Sequence, residues 1–166
     1  MGTAAGDVEF RDVEKVHTVV ARATDHPMDQ LPRLFDATFG ALFPALAERG
    51  LVPAGAAFAL YTRMPGDTVD IEVGVPVGSP LEAPVTVGKV ELVPSELPAG
   101  TIAATTHVGG YETLGRSWER FMTAISAAGR KPALPFWEVY VTEPSPDTDP
   151  ATLRTDLFTL VDNGAD

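Results

Sequence analysis

The chain carries the same order of secondary-structure signals twice, and this internal repeat constrains the fold more than any other feature. Residues 17–62 and 100–142 each begin with a β-rich run, continue into an amphipathic helix and resume with a strand after a proline. A polar connection and a last strand follow in each half, at 69–77 and 153–161. Each half therefore predicts a β-α-β-β unit.

The two predicted helices have apolar residues spaced three and four apart, the pattern of a helix that lies on a core. The first stripe comprises Leu31, Leu34, Phe35, Phe39, Leu42 and Leu46, and the second comprises Leu114, Trp118, Phe121, Met122 and Ile125. Pro32 suits the first turn of its helix, and Pro44 should bend or weaken the last turns. Gly50 and Gly129 predict the two helix ends.

One β-α-β-β unit buries its core poorly, whereas two copies related by a pseudo-two-fold axis can close on each other. We therefore predict an α+β fold of duplicated β-α-β-β units, with antiparallel sheets, one long helix per half and a ligand groove at the junction. We expect one domain over residues 1–166, with halves at about 8–77 and 97–161. The connection at 78–96 is predicted to hold a short strand in "VTVGKVELV", and 143–152 is predicted to be an exposed loop.

Composition excludes several classes of function. The chain has 166 residues, 45% of them apolar, and no cysteine, which fits an ordinary core without disulfides or a thiolate nucleophile. A net charge of -11 argues against nucleic acid as a partner, because phosphate contacts need a basic surface. Three scattered histidines do not form a zinc motif, so we expect no metal and no cofactor. Without a membrane-length apolar run or a signal peptide, a cytoplasmic protein is expected.

The stretch "PFWEVYVT" at 135–142 predicts a β-strand with a carboxylate in its middle. Because strand side chains alternate, Trp137 and Val139 share one face with Val141, while Phe136, Glu138, Tyr140 and Thr142 share the other. We expect the purely apolar set to pack under the helices. The mixed set, in which two aromatic side chains flank Glu138, would then face elsewhere.

Two interpretations of this mixed face stand side by side. The repeat pairs Phe136, Glu138 and Tyr140 with Ala57, Ala59 and Tyr61, so small residues would lie opposite the carboxylate. If the two strands meet across the pseudo-axis, the result is a hollow with aromatic walls, suited to a flat, hydrophobic, cationic molecule. The alternative is a strand with one solvent-exposed face, on which Glu and Tyr are common.

Two motifs occur in a specific order and spacing, the run H-x-G-x-Y-x-x-L from His107 to Leu114 and the pair E-x-Y formed by Glu138 and Tyr140. On these motifs the chain resembles the GyrI-like domain family across residues 8–161. The resemblance implies the duplicated fold and a small-molecule effector site. It also implies that Glu138 is the acidic pocket residue that pairs with cationic drugs.

Further site residues follow from the same resemblance. Tyr111, Trp137 and Tyr140 match positions at or near the aromatic pocket, and Trp118 is either pocket lining or helix core. The strand alternation and the repeat add Phe136, Ala59 and Tyr61 to the predicted lining. We expect a stand-alone, monomeric or weakly dimeric binder of hydrophobic aromatic or cationic small molecules. His107 is interpreted as a turn residue outside the chemistry.

Some stand-alone proteins that resemble this chain are hydrolases, which open the cyclopropane of DNA-alkylating cyclopropanoid natural products. In that alternative, Glu138 would activate a water and Tyr111 or Tyr140 would donate a hydrogen bond to the developing phenolate. A protein-binding role such as topoisomerase inhibition is a third possibility, for which the sequence offers no discrete patch.

Overall fold

The computed structural model describes residues 8–110, 113–142 and 149–162. Its nine strands are β1 (Glu9–Val13), β2 (Val16–Pro27), β3 (Phe58–Tyr61), β4 (Thr68–Pro76), β5 (Val85–Val87), β6 (Val90–Leu97), β7 (Gly100–Val108), β8 (Lys131–Tyr140) and β9 (Arg154–Asp162). Its long helices are α1 (Leu31–Glu48) and α2 (Leu114–Ala127). The chain divides into a first unit, Glu14–Ala99, and a second unit, Met1–Val13 with Gly100–Asp166.

The first unit contains antiparallel strands in the order β3-β4-β2-β6-β5, with α1 packed on one face. Its core joins α1 to alternate positions of β2, β4 and β6. The fully buried members include Val19, Leu42, Leu46, Val75 and Leu92. Val19 and Val75 are cross-strand partners, so the period-2 pattern of the two strands places both side chains under the helix.

The second unit contains antiparallel strands in the order β1-β7-β9-β8, with α2 packed on one face. Phe121 and Ile125 of α2 lie against Ala103, Leu157 and Val161 of the strands. The apolar stripe predicted for α2 therefore faces a sheet, as its spacing indicates.

The two helices end in the same way. Gly50 and Gly129 have φ values of 69° and 82°, in the left-handed region that glycine adopts without strain. The residue after each glycine donates its backbone N–H to a carbonyl in the last turn of the helix. Leu51 donates to Leu46 at 2.9 Å, and Arg130 donates to Ile125 at 3.1 Å. Both helix ends predicted from glycine are confirmed, and each has the Schellman pattern.

The α+β class, the antiparallel strands and the single long helix of each unit are confirmed. Each unit contains a β-α-β-β order, as β2-α1-β3-β4 and as β7-α2-β8-β9. The pseudo-two-fold relation of the halves and the groove at their junction stay predictions.

The structure differs from the predicted limits of the halves in two places. We placed residue 8 onwards in the first half, but β1 pairs with β7 along Glu9↔Ala104 and belongs to the second unit. The connection predicted at 78–96 contains a hairpin, β5–β6, rather than one short strand. That hairpin extends the first unit because β6 pairs with β2 and buries Leu92 under α1.

Some predicted features lie outside the described residues, namely Tyr111 and most of the loop predicted at 143–152. No helix in the part of the chain that the structure describes is long and apolar enough to cross a membrane.

Candidate functional site

The two faces of β8 have opposite surroundings, and the face that carries Glu138 packs under α2. Glu138 is the cross-strand partner of Leu157, a member of the core under α2. Trp137 pairs with Phe158 on the other face. The predicted alternation is confirmed, but the prediction that the purely apolar set lies under the helix is wrong. The helix accommodates the carboxylate because its own Trp118 supplies a hydrogen-bond donor.

Both oxygens of Glu138 accept a hydrogen bond from an aromatic side chain. The Nε1–H of Trp118 donates to Oε2 at 2.6 Å, and the hydroxyl of Tyr140 donates to Oε1 at 2.8 Å. The residue is 7% exposed. Among residues 8–110, 113–142 and 149–162, no Lys, Arg or His side chain forms an ion pair with it. A buried carboxylate is therefore hydrogen-bonded by two neutral donors, and no described cation lies within ion-pair distance of it.

Burial raises the pKa of the Glu138 carboxyl above its ordinary value, because the charged form loses hydration. The hydrogen bonds from Trp118 and Tyr140 and the imidazole of His107 act in the opposite direction and lower the pKa, but burial outweighs them. A carboxyl with a raised pKa lies closer to the pH range in which proton transfer and ligand binding change its charge.

An aromatic cluster adjoins the carboxylate through Trp118. The ring of Trp118 meets that of Phe136 at 4.9 Å and 64°, an edge-to-face contact, and that of Phe121 at 5.5 Å and 51°. Phe136 is 6% exposed. Trp118 therefore packs in the helix core and also bonds to Glu138, while its role in lining a ligand pocket stays a prediction.

His107 orients the start of α2 beside this site. Its Nε2 lies 2.9 Å from the carbonyl oxygen of Gly110, which can only accept, so Nε2 carries a proton. Its Nδ1 lies 2.6 Å from the hydroxyl of Ser117, the residue before Trp118. We predicted a turn residue, but His107 is a buried residue of β7. The H-x-G-x-Y run contained a signal for it, whereas nothing in the sequence distinguishes Ser117.

Thr155 is a site residue that the sequence did not reveal. It is the cross-strand partner of both Tyr140 in β8 and His107 in β7, so the three side chains share the face that carries Glu138. Thr155 is fully buried, and its Oγ1 has no hydrogen-bond partner in the described ranges. A threonine in an alternating strand is commonplace, so its unpaired hydroxyl appears only in the structure.

The remaining predicted site residues do not share the face of Glu138 in the second unit. Trp137, on the opposite face of β8, stacks on Phe158 with centroids 5.7 Å apart and an 18° tilt. Ala59 and Tyr61 lie in β3 of the first unit, and Ala59 pairs with Val73, which also pairs with Ala21 of the α1 core. Their role opposite Glu138 stays a prediction, and Tyr111 lies outside the described residues.

A hollow of about 490 Å³ lies along the outer side of α2, and Glu138 is not part of it. Its lining is Arg116, Glu119, Arg120, Thr123, Ala124 and Ala127. The Glu138 carboxylate is nearly inaccessible to solvent, and the indole of Trp118 and the hydroxyl of Tyr140 contact it directly.

The described residues hold no group of three His, Asp or Glu side chains arranged to bind a metal ion.

Comparison with known proteins agrees with this fold. A family model described as the GyrI-like small molecule binding domain matches residues 6–162. No curated protein sequence matches the chain.

Three solved proteins share the fold. The C-terminal domain of EcmrR is 16% identical, with a TM-score of 0.73, and the match covers 94% of this chain and 97% of that one. In the EcmrR–DNA complex the identity is 17% and the TM-score 0.75, and the match covers 93% of this chain but 57% of the longer EcmrR chain. A hydrolase from Listeria innocua is 10% identical, with a TM-score of 0.66 and coverage of 97% and 94%. SAV2435 bound to tetraphenylphosphonium is 11% identical, with a TM-score of 0.60 and coverage of 95% and 94%.

Proposed function

The chain belongs to the GyrI-like small-molecule-binding domain family, and we propose that it binds hydrophobic, often cationic aromatic molecules at Glu138. The observation that carries the proposal is the buried carboxylate that forms no ion pair with any described residue. A buried charge is costly when it lacks a counter-charge, so a cationic ligand would gain a strong interaction there.

The aromatic surroundings support the same ligand class. Trp118 bonds to the carboxylate through its indole N–H and packs against Phe136, and aromatic side chains at a binding site attract both flat apolar rings and cations. SAV2435, which shares the fold, is bound to a lipophilic cation, tetraphenylphosphonium. We propose that the protein acts in the cytoplasm by sequestering or sensing such compounds.

Fluorescence titration with ethidium tests the role of Glu138. We compare wild type with Glu138→Gln, which keeps the side-chain shape and removes the charge. Glu119→Gln, which removes an exposed carboxylate from α2, is the matched control. Loss of a buried charge pair should weaken binding about tenfold or more. The control should bind like wild type, and equal affinity of Glu138→Gln and wild type would exclude the proposed role.

A second candidate function, hydrolysis of a cyclopropanoid compound, is favoured by the contact between a carboxyl of raised pKa and a tyrosine hydroxyl. Water would add its oxygen to a cyclopropane carbon as the strained C–C bond breaks. Its proton would pass through Glu138 to the phenolate that forms, to which Tyr140 or Tyr111 would donate a hydrogen bond. The Listeria innocua protein that shares this fold is a hydrolase, which supports an enzymatic alternative.

Mass spectrometry separates the two functions. Incubation with a cyclopropanoid substrate should produce the water adduct faster than buffer alone if the protein is such an enzyme, and Glu138→Gln should abolish the excess. Turnover equal to the buffer control would leave binding as the function for that compound.

A further inference from the structure

We propose that the Glu138 site selects cations that carry N–H groups, such as primary ammonium ions, and that the Thr155 hydroxyl is the second acceptor for these groups. The inference rests on the proposed binding function and names the ligand chemistry within it. It distinguishes ammonium ligands from quaternary ammonium and phosphonium ions, which carry charge but no donor.

The site has more acceptors than donors. An ionised carboxylate offers about four acceptor positions, and two of those on Glu138 are taken, by Trp118 and Tyr140. The hydroxyl of Thr155 adds a further acceptor that no described residue uses. A ligand that only supplies charge would leave these positions empty, whereas an ammonium group would fill up to three of them.

The strand register places the two acceptor residues on the same face of adjacent strands. Glu138 lies opposite Leu157 and Tyr140 lies opposite Thr155, so Glu138 and Thr155 are diagonal neighbours on adjacent strands. Diagonal neighbours on one face are about 7–8 Å apart. An ammonium nitrogen that makes two hydrogen bonds of about 2.9 Å bridges most of that distance, and the length of the Glu138 side chain covers the rest.

Thr155 differs from the other buried groups without a partner. Thr18 and Thr38 also have unpaired hydroxyls, but they lie in the first unit, in β2 and α1. Arg130 has an unpaired nitrogen, which is a donor and therefore does not suit a cation. Thr155 alone among these four is an acceptor on the face of Glu138.

The experiment uses two fluorescent probes with the same ring and the same charge, 1-pyrenylmethylammonium and its N,N,N-trimethyl analogue. Each is titrated against wild type, Thr155→Val, Thr155→Ser and Glu138→Gln. Valine keeps the branched shape of threonine without the hydroxyl, and serine keeps the hydroxyl. A primary ammonium loses more hydration than a quaternary ion, so the ratio of the two dissociation constants is compared between variants rather than judged by its value.

We expect Thr155→Val to weaken the primary ammonium about tenfold, the effect of losing one hydrogen bond to a charged group, and to leave the trimethyl probe within about twofold. Thr155→Ser should keep the wild-type ratio. The melting temperature of Thr155→Val should equal or exceed that of wild type, because an unpaired buried hydroxyl is removed.

An unchanged ratio of the two dissociation constants in Thr155→Val overturns the inference. This includes the case in which both probes bind more weakly by the same factor, which would mean a packing effect. Failure of the proposed function gives a different result, in which Glu138→Gln binds both probes as well as wild type does, or wild type binds neither.

Discussion

The side-chain carboxylate of Glu138 lies under α2, at a position of β8 where strand alternation alone would allow any small apolar residue. Its two hydrogen bonds come from neutral donors, so they reduce the cost of burying the charge without removing it. Burial still raises the pKa of the carboxyl. The ionised carboxylate therefore reduces the stability of the fold, and under the proposed function a cationic ligand would restore that stability.

The raised pKa of Glu138 predicts a pH-dependent stability. Above the ordinary value of 4.5 the unfolded chain releases the proton first, so the folded state binds more protons and loses stability as pH rises through the raised pKa. The melting temperature of Glu138→Gln should match that of wild type below pH 4.5 and exceed it at pH 8. About 1 kcal/mol moves the melting temperature by about 2–4 °C at this chain length.

Differential scanning calorimetry from pH 4 to 8 measures this difference, with Glu119→Gln as the control. Because Glu119 is exposed on α2, its replacement should change stability by less than about 0.5 kcal/mol at every pH. A Glu138→Gln curve parallel to that of wild type would contradict the pKa argument.

A single site residue can be predicted from the sequence when its type is unusual for the element that carries it. A glutamate within "PFWEVYVT" stands out in a strand, and the structure buries Glu138 with hydrogen bonds from two aromatic side chains. Thr155 does not stand out, because the residues around a threonine, and not the threonine itself, determine whether its hydroxyl finds a hydrogen-bond partner. The helix that covers Glu138 was also misplaced, because the alternation defines two faces but not which of them the helix meets.

The strands depend on close backbone contacts as much as on side chains. Gly74 of β4 lies between β2 and β3, opposite Val20 and Phe58. A Cβ built at Gly74 would collide with the carbonyl oxygen of Val19, which is backbone and cannot move independently. Gly74→Ala should destabilise the protein by about 1–3 kcal/mol or more through overpacking.

Gly40→Ala is the matched control for that prediction. Gly40 lies within α1, and a Cβ added there meets nothing within 4 Å. Alanine should stabilise the helix by about 0.5–1 kcal/mol, because it loses less backbone freedom on folding. Urea denaturation of both variants measures the two opposite effects, and a loss of stability in Gly40→Ala similar to that in Gly74→Ala would show that glycine replacement is harmful in general.

A helix or strand can be predicted from the sequence when its apolar residues follow a strong periodic pattern. Both long helices and the strands with apolar alternation were predicted from the sequence, since burial of one face imposes the pattern. The strand β1 was missed, because "EFRDV" is short and mostly polar and becomes a strand by pairing with β7. Such an edge strand is specified by its partner more than by its own residues.

At the scale of the whole molecule, the net charge of -11 should attract cationic ligands before they bind. The Debye length falls from about 30 Å at 0.01 M salt to about 10 Å at 0.1 M, so the association rate constant of ethidium should fall several-fold over this range. The dissociation rate constant should change little, since it reflects buried contacts. Stopped-flow fluorescence measures both, and a salt-independent association rate would contradict the prediction.

A crystal structure of the complex with ethidium tests the central claim most directly, because the two faces of β8 are chemically distinct. The account predicts the ring of the ligand against Trp118 and Phe136, its positive charge within about 4 Å of the Glu138 carboxylate, and the indole N–H of Trp118 turned away from Oε2. A ligand that lies on the opposite face, against Trp137 and Phe158, with Glu138 still bonded to Trp118 and Tyr140, would contradict it.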